Sequence, residues 1–261
     1  MDTVISRDGT RIACKRAGEG PVLVLVHGTS GSRERWAPVL PSLQARFTVV
    51  TMDRRGRGDS GDGAGYAHAR EIEDVVAVVE SCGEPVHLLG HSFGAICALE
   101  AALRTQQLRK LVLYEPPIPV AGPVFPDGTI ARLEALLAGG DREAVLELFF
   151  REVNGMPPAA FAAFRATQAW PSRLAAAHTL PREMRAVDAY RIDPVRLAGL
   201  ALPCLLLLGG DSPPYFRAAV EALAAALPAA RTVVLPGQRH VAMDTAPELF
   251  VREVAGFLQA P

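Results

Sequence analysis

Short apolar segments alternate with stretches of helical spacing along most of the chain, and this alternation limits the possible folds more than any other feature. The apolar segments are about strand length and rich in β-branched residues, as in strands buried on both faces. They are Val22–Val26, Phe47–Thr51, Val86–Leu89, Leu111–Tyr114, Cys204–Leu208 and Thr232–Leu235. The helical stretches are Arg33–Leu43, Ala69–Ser81, Ala95–Arg104, Phe216–Leu227 and Pro247–Leu258. This order predicts an α/β fold with a mostly parallel central sheet, helices on both faces, and an opening hairpin of Thr3–Ser6 and Arg11–Arg16.

The region 118–197 breaks the alternation, because it contains helical pieces separated by prolines and no convincing strand. We interpret it as a helical lid over the carboxyl edge of the sheet, where ligands bind in such folds. Residues 1–117 and 198–261 then form the core domain. The alternative is that these helices pack only as part of the core. The lid arginines are candidates for binding a substrate carboxylate, unless they simply lie on solvated faces: Arg132, Arg151, Arg165, Arg173, Arg182 and Arg185.

Composition excludes several classes of protein. The chain has 261 residues, of which 49% are hydrophobic and 21% charged, and its net charge is −1. That balance indicates a globular protein with no electrostatic footprint for nucleic acid or an anionic membrane. The start lacks the order of a secretory signal, no apolar run reaches membrane-spanning length, and the four cysteines are widely scattered. We therefore predict a cytoplasmic monomer or homodimer with reduced thiols and no metal, acting on a small molecule.

The segment Gly90-His91-Ser92-Phe93-Gly94 lies between a predicted strand and a predicted helix. In that context the serine occupies a strained turn, and glycine on either side avoids collisions with the strand and the helix. The hydroxyl then lies above the sheet at a helix N-terminus, where negative charge is favoured. This predicts Ser92 as a nucleophile, although a serine in an ordinary strand-to-helix loop has the same local sequence.

A serine nucleophile needs a base, and His240 is the strongest candidate among six histidines. It follows the last predicted strand on a short loop, which places its imidazole at the same sheet edge as Ser92. The other histidines are interpreted as structural or solvated, because they lie in helical segments, within a strand, in a loop or inside the turn itself: His27, His68, His87, His91 and His178.

Together these features resemble the α/β-hydrolase family, and the likeness covers nearly the whole chain. It rests on the loop His27-Gly28-Thr29-Ser30-Gly31, the stretch Asp53–Ser60, the turn around Ser92 and the late His240. The resemblance implies an oxyanion hole formed by the backbone N–H groups of Phe93 and Thr29, and chemistry without a cofactor. It also implies that Asp53 and Arg54 make local structural bonds.

The acidic partner of His240 has two candidates. The family pattern expects an acid after the strand Cys204–Leu208, where Asp211 falls one residue early. Glu115 follows the neighbouring strand, and Pro116 and Pro117 hold the backbone after it extended. The chain order of serine, acid and histidine is the same in both cases, and the preference for Glu115 is slight.

Two other patterns resemble a nucleotide-binding motif and a zinc site, but their positions do not fit either kind of site. Gly56–Gly61 matches a dinucleotide-binding glycine pattern, yet further loop residues separate it from the next helix. His87 and His91 have the spacing of a zinc site, but they straddle a strand end rather than sharing a helix face.

The sequence as a whole predicts a serine hydrolase that cleaves an ester or lactone of a medium-sized, mainly apolar molecule through an acyl-enzyme. Two alternatives stay open, because fold does not determine function. One is a lyase or biosynthetic enzyme of this fold that uses His240 as a base without an acyl-enzyme. The other is a hydrolase-like receptor for a small molecule.

Overall fold

A computed structural model describes residues 2–120 and 122–260. The strands are β1 (Asp2–Ile5), β2 (Arg11–Ala17), β3 (Val22–Val26), β4 (Thr48–Met52), β5 (Val86–His91), β6 (Leu108–Tyr114), β7 (Cys204–Gly209) and β8 (Ala230–Leu235). The helices are α1 (Leu40–Gln44), α2 (His68–Ser81), α3 (Phe93–Ala102), α4 (Thr129–Ala138), α5 (Arg142–Leu148), α6 (Pro158–Arg165), α7 (Trp170–Ala176), α8 (Leu180–Ala189), α9 (Pro194–Ala198), α10 (Pro214–Ala226), α11 (Ala242–Thr245) and α12 (Pro247–Gln259).

The strands form one sheet in the order β1-β2-β4-β3-β5-β6-β7-β8. The hairpin of β1 and β2 joins β4 antiparallel, and every pairing from β4 to β8 is parallel. This confirms the predicted α/β fold. All five residues of β3 are buried, because helices cover both of its faces.

Two apolar clusters hold the helices against the sheet. On one face α2, α3 and α10 pack on alternate residues of the central strands. On the other face α1 and α12 pack on the intervening residues. A third cluster, with Leu146, Phe149 and Trp170 among its members, lies within the region between β6 and β7.

The region between β6 and β7 contains helices and no strand among its described residues. We refer to residues 118–197 as the helical insertion. It contacts the core through long-range polar bonds, including Arg173 to Ser30 and Glu183 to Arg54. The expectation of one helix over Arg33–Leu43 is wrong, because a short turn at Arg33–Trp36 is separated from α1. Pro38 and Pro41 cannot donate the backbone hydrogen bonds that a continuous helix requires.

No helix within the described ranges is long and apolar enough to cross a membrane.

Candidate active site

Ser92 occupies the strained turn that joins β5 to α3. Its φ is +58° and its ψ is −129°, a conformation that L-residues rarely adopt. The turn is tight on both sides. A Cβ added to Gly94 would lie 2.4 Å from the His27 carbonyl oxygen, and one added to Gly90 would lie 2.4 Å from the Gly94 carbonyl oxygen. Since backbone atoms cannot yield as a flexible side chain can, both flanking glycines are required for this turn.

His240 lies on the loop after β8 and is held through hydrogen bonds and ring contacts. Its Nδ1 is 2.6 Å from Glu115 Oε2. Phe216 stacks on the imidazole, with ring centroids 4.4 Å apart. On another side the His91 ring lies 4.5 Å away, and its Nε2 donates to the His240 carbonyl oxygen at 2.8 Å. These contacts fix the ring plane and leave Nε2 as the nitrogen free to exchange a proton with a hydroxyl.

His91 fits this role because burial lowers its pKa well below the ordinary histidine value, with the nearby His240 adding to the effect. A neutral imidazole that donates from Nε2 has no proton on Nδ1. The His91 ring can therefore pack against His240 without adding a second positive charge.

The structure separates the two candidate acids. Glu115 is fully buried at the end of β6, and its other oxygen, Oε1, accepts from the Gly209 N–H at 2.6 Å. Its φ of +46° is again unusual for a residue with a side chain. Asp211 is exposed, and its side chain forms no hydrogen bond or ion pair with His240. The carboxylate aligned with the imidazole is therefore that of Glu115.

Tyr114, at the end of β6, holds the loop that carries His240, which we call the histidine loop. Its hydroxyl donates to the Arg239 carbonyl oxygen and accepts from the Ala242 N–H at 3.1 Å. Tyr114, the last residue of β6, and Glu115, which follows it, thus contact one loop. Adjacent strand residues normally point to opposite faces, and the positive φ of Glu115 breaks that alternation.

The loop His27–Gly31 lies beside the nucleophile. A Cβ on Gly28 would lie 2.7 Å from the Ser92 Cβ, so this close approach requires glycine. No hydrogen bond from the N–H of Thr29 or Phe93 to another backbone group is present among the described residues. Two backbone donors near Ser92 are thus left available for an anionic oxygen.

Among the described residues, no hydrogen bond joins Ser92 Oγ to His240 Nε2. Hydrogen bonds between catalytic groups are often long in free enzymes and shorten when substrate binds.

A buried ionic cluster that sequence reasoning missed lies behind the loop His27–Gly31. Arg54 donates from its backbone to His27 Nε2 at 3.2 Å and from Nη2 to the Gly28 carbonyl oxygen at 3.3 Å. Its guanidinium also lies 4.8 Å from the Phe93 ring centroid. The resemblance implied only local bonds for Arg54. In the structure its carboxylate partner is Glu183 of α8, at 2.8 Å and 129 residues away. Asp53 accepts from the Asp59 N–H, 6 residues away, and from the backbone and guanidinium of Arg33, 20 residues away.

Two buried glutamates lie beside Arg54, and their pKa values are shifted in opposite directions. Burial alone raises the pKa of Glu183, but Arg54 and Arg57 outweigh it and bring that pKa down to about 2. Glu71 of α2 is equally buried and 3.2 Å from Arg54, but neither of its oxygens has a hydrogen-bond donor. Burial therefore raises the pKa of Glu71, and Arg54 offsets this only partly. The charge of Arg54 is balanced mainly from the helical insertion.

The patterns set aside from the sequence have structural explanations. The loop Gly56–Gly61 leads into α2 only at His68, and Gly58 makes room for the Asp53 carboxylate, which a Cβ would approach to 2.1 Å. His87 packs edge-on against Phe47. Within residues 2–120 and 122–260, no group of three His, Cys, Asp or Glu residues is placed to hold a metal ion.

Comparisons with known proteins agree with this geometry. A family model described as the alpha/beta hydrolase family matches residues 23–253. A crystal structure of an alpha/beta hydrolase from Sphaerobacter thermophilus DSM 20745 is 38% identical, with a TM-score of 0.87 over 99% of this chain and 100% of that chain. The esterase RhEst1 from Rhodococcus sp. ECU1013 is 26% identical, with a TM-score of 0.78 over 99% of this chain and 98% of that chain.

One curated relative matches a shorter segment. The "Probable oxidoreductase EphD" of Mycobacterium tuberculosis is 42% identical over 100 residues, which is 36% of this chain and only 17% of that protein. The matches along the full chain support a hydrolase.

Proposed function

Since the chain belongs to the alpha/beta hydrolase family, we propose that it is a serine hydrolase that cleaves a carboxylic ester or lactone through an acyl-enzyme. The observation that carries the proposal is the hydrogen bond between Glu115 and His240 at the sheet edge where Ser92 occupies its strained turn. The full-length similarity to an esterase supports the choice of bond.

In the first half of the reaction, Ser92 Oγ attacks the carbonyl carbon while His240 Nε2 takes the hydroxyl proton. Glu115 accepts from Nδ1–H, which keeps Nε2 free and stabilises the imidazolium without taking its proton. The carbonyl electrons move onto oxygen, where the N–H groups of Phe93 and Thr29 bind the negative charge. When the C–O bond breaks, His240 returns the proton to the leaving alcohol, and an acyl-serine remains.

In the second half, a water molecule takes the place of the alcohol. His240 removes its proton as the oxygen attacks the acyl carbon, and the same two N–H groups hold the second oxyanion. Collapse expels Ser92, which recovers its proton from His240, and the carboxylic acid leaves. Each oxyanion donor contributes about 3 kcal/mol to lowering the barrier, a rate factor of about a hundred.

We further propose that the helical insertion acts as a lid and that the substrate is a medium-sized, mainly apolar molecule. The insertion brings Phe150, Phe164 and Trp170 together in one apolar cluster. Arg173 of the same helical region reaches the loop beside Ser92. Ligand sites with apolar walls and a few polar groups bind molecules of this kind.

A labelling experiment tests the proposal directly. The wild-type protein should react covalently with a fluorophosphonate at Ser92 and release p-nitrophenol from p-nitrophenyl esters in a pre-steady-state burst. Ser92→Ala should abolish labelling and lower turnover by at least about ten-thousandfold, because the proposed mechanism depends on the Ser92 hydroxyl as its nucleophile. If the folded wild-type protein neither labels nor hydrolyses such esters, the acyl-enzyme proposal is wrong, and the lyase and receptor alternatives gain.

A further inference from the structure

The arginines of the helical insertion differ sharply in their partners. Five of the six that the sequence singled out form ion pairs with carboxylates: Arg132 with Glu152, Arg151 with Glu147, Arg165 with Glu143, Arg182 with Asp62, and Arg185 with Glu134. Arg173 is the exception, because no described carboxylate lies within ion-pair distance of it. Arg142 and Arg191 also lack carboxylates, but both are exposed and donate to backbone carbonyls near helix ends, where water and the helix dipole stabilise the charge.

Arg173 is half-buried and reaches the loop beside Ser92. Its Nη1 donates to the Ser30 carbonyl oxygen and, at 2.7 Å, to Ser30 Oγ. Ser30 lies two residues beyond Gly28, the glycine that touches Ser92. The guanidinium is flanked by the rings of Phe164 and Phe150, whose centroids lie 5.3 Å and 5.8 Å away.

An unpaired cation in such surroundings costs free energy. Burial, assisted by Arg35 and Arg57 and opposed by the more distant carboxylate of Asp244, lowers the pKa of Arg173 to about 10. The side chain is therefore still charged at neutral pH. A charge removed from water without a counter-ion is unfavourable, which is why most half-buried arginines are paired.

One edge of the planar guanidinium, formed by Nε and Nη2, has no hydrogen-bond acceptor among the described residues. Both hydrogen bonds to Ser30 come from Nη1, and no described group accepts from Nε or Nη2. Both nitrogens can be reached from outside the protein, so a ligand could approach them. Nε–H and Nη2–H form the parallel pair of donors that binds a carboxylate through two hydrogen bonds.

We propose that Arg173 is a substrate-binding residue that takes a carboxylate of the substrate on its Nε and Nη2. The inference rests on the proposed hydrolase function and narrows it to esters or lactones that carry a second, anionic group. The apolar body of the substrate then lies against the insertion aromatics, and its ester carbonyl lies at Ser92. The competing role for Arg173 is only to position Ser30 and, through it, the Thr29 N–H.

Two pairs of esters, each differing by one carboxylate, distinguish these roles. In the first pair, p-nitrophenyl hexanoate is compared with mono-p-nitrophenyl adipate, which carries the carboxylate on the acyl side. In the second, hexyl acetate is compared with the acetate ester of 6-hydroxyhexanoate, which carries it on the alcohol side. We expect the wild-type kcat/KM to favour the anionic member of at least one pair by about tenfold or more.

Substitution of Arg173 should reduce that preference. Arg173→Gln should lower the ratio of anionic to neutral kcat/KM by about ten- to hundredfold, and Arg173→Lys should lower it less, because lysine keeps the charge without the paired donors. The matched control is Arg132→Gln, which removes an exposed, paired arginine of the same insertion and should leave the ratio unchanged. Fluorophosphonate labelling of Arg173→Gln reports whether Ser92 and its loop are intact.

The outcomes are distinct. No anionic preference in the wild-type protein overturns the inference, and so does an equal loss of activity on both members with slowed labelling, which assigns Arg173 to loop positioning. If the hydrolase proposal itself fails, calorimetry with monomethyl adipate decides instead. Binding to Ser92→Ala that disappears in Ser92→Ala/Arg173→Gln supports the carboxylate site, and no binding to either variant refutes it.

Discussion

The sheet core and the helical insertion place their charged groups in different ways. In the core, Glu115 and His240 follow strands whose backbone hydrogen bonds set their positions, and Gly209 fixes the carboxylate directly. In the insertion, Glu183 and Arg173 reach the core through long-range side-chain bonds. In the proposed mechanism the bond-breaking groups therefore belong to the sheet, and the insertion governs enclosure and selectivity. Substitutions in the two regions should therefore differ in kind.

The largest effect on the core side of this comparison is expected at Glu115. Glu115→Gln retains an oxygen for the Gly209 N–H, but its amide N–H₂ faces His240 Nδ1 and favours the wrong tautomer. Turnover of a neutral p-nitrophenyl ester should fall about a thousandfold or more, with little change in the melting temperature. The matched control, Asp211→Asn, alters an exposed carboxylate and should stay within about twofold of wild type. The reverse ranking would transfer the role of acid to Asp211.

The next effect concerns how the insertion is held. Glu183→Gln removes the carboxylate that balances Arg54 and Arg57 and leaves two buried cations without a full counter-ion. The free energy of unfolding, measured with urea, should fall by about 3 kcal/mol. Glu71→Gln is the matched comparison, because Glu71 is as buried but receives no hydrogen bond. It should cost less than about 1 kcal/mol, and equal losses in the two variants would refute the view that the insertion supplies the main counter-ion.

The last effect is a pH dependence, to which each buried histidine of the core contributes separately. Burial lowers the pKa of His68 and of His87 to about 4, and holds the pKa values of His27 and His91 well below their ordinary value. The unfolded chain thus takes up protons below about pH 6.5 that the folded core does not. The stabilising contribution of these histidines is fully present above that pH. As the pH decreases toward 4, the free energy of unfolding should fall by about 1.4 kcal/mol per pH unit for each such histidine.

Glu183 also makes the protein less stable as the pH falls, but in a lower pH range. Its folded pKa of about 2 lies below its ordinary 4.5, so its contribution is complete above about pH 4.5 and lost as the pH falls toward 2. Urea unfolding between about pH 7 and about pH 5 therefore excludes Glu183, and comparison with a single histidine variant separates the core histidines from buried carboxyls such as Glu71, whose pKa is raised. His87→Gln should reduce the slope of the unfolding free energy against pH by the equivalent of one proton, about 1.4 kcal/mol per pH unit. An unchanged slope would contradict the lowered pKa of His87.

The positions of Ser92 and His240 could be predicted from the sequence because their signals are local. The glycines around Ser92 and the position of His240 after a strand each predict a location at the carboxyl edge of the sheet. The strand segments were also recognisable, since buried parallel strands are continuously apolar. Val22–Val26 is confirmed without change as β3.

The acid was harder to predict because it depends on contacts between strands. The choice between Glu115 and Asp211 is decided by which carboxylate the Gly209 N–H and the histidine loop meet across the sheet, and spacing along the chain does not encode this. The same limit applies to the arginines. Arg54 pairs with Glu183 at a separation of 129 residues, so neither this pairing nor the unpaired state of Arg173 is visible in the sequence.

The positive φ angles described above have a cost for the molecule as a whole. Within the described ranges, the residues other than glycine with φ above zero are Ser30, Ser92 and Glu115, and all three lie at the catalytic edge. Each such residue stores about 1–2 kcal/mol of conformational energy that glycine would release. Glycine at Ser92 would release that energy, and the resulting protein would keep its fold while losing the hydroxyl on which the proposed function depends; at Glu115 it would also leave the Gly209 N–H without its buried acceptor.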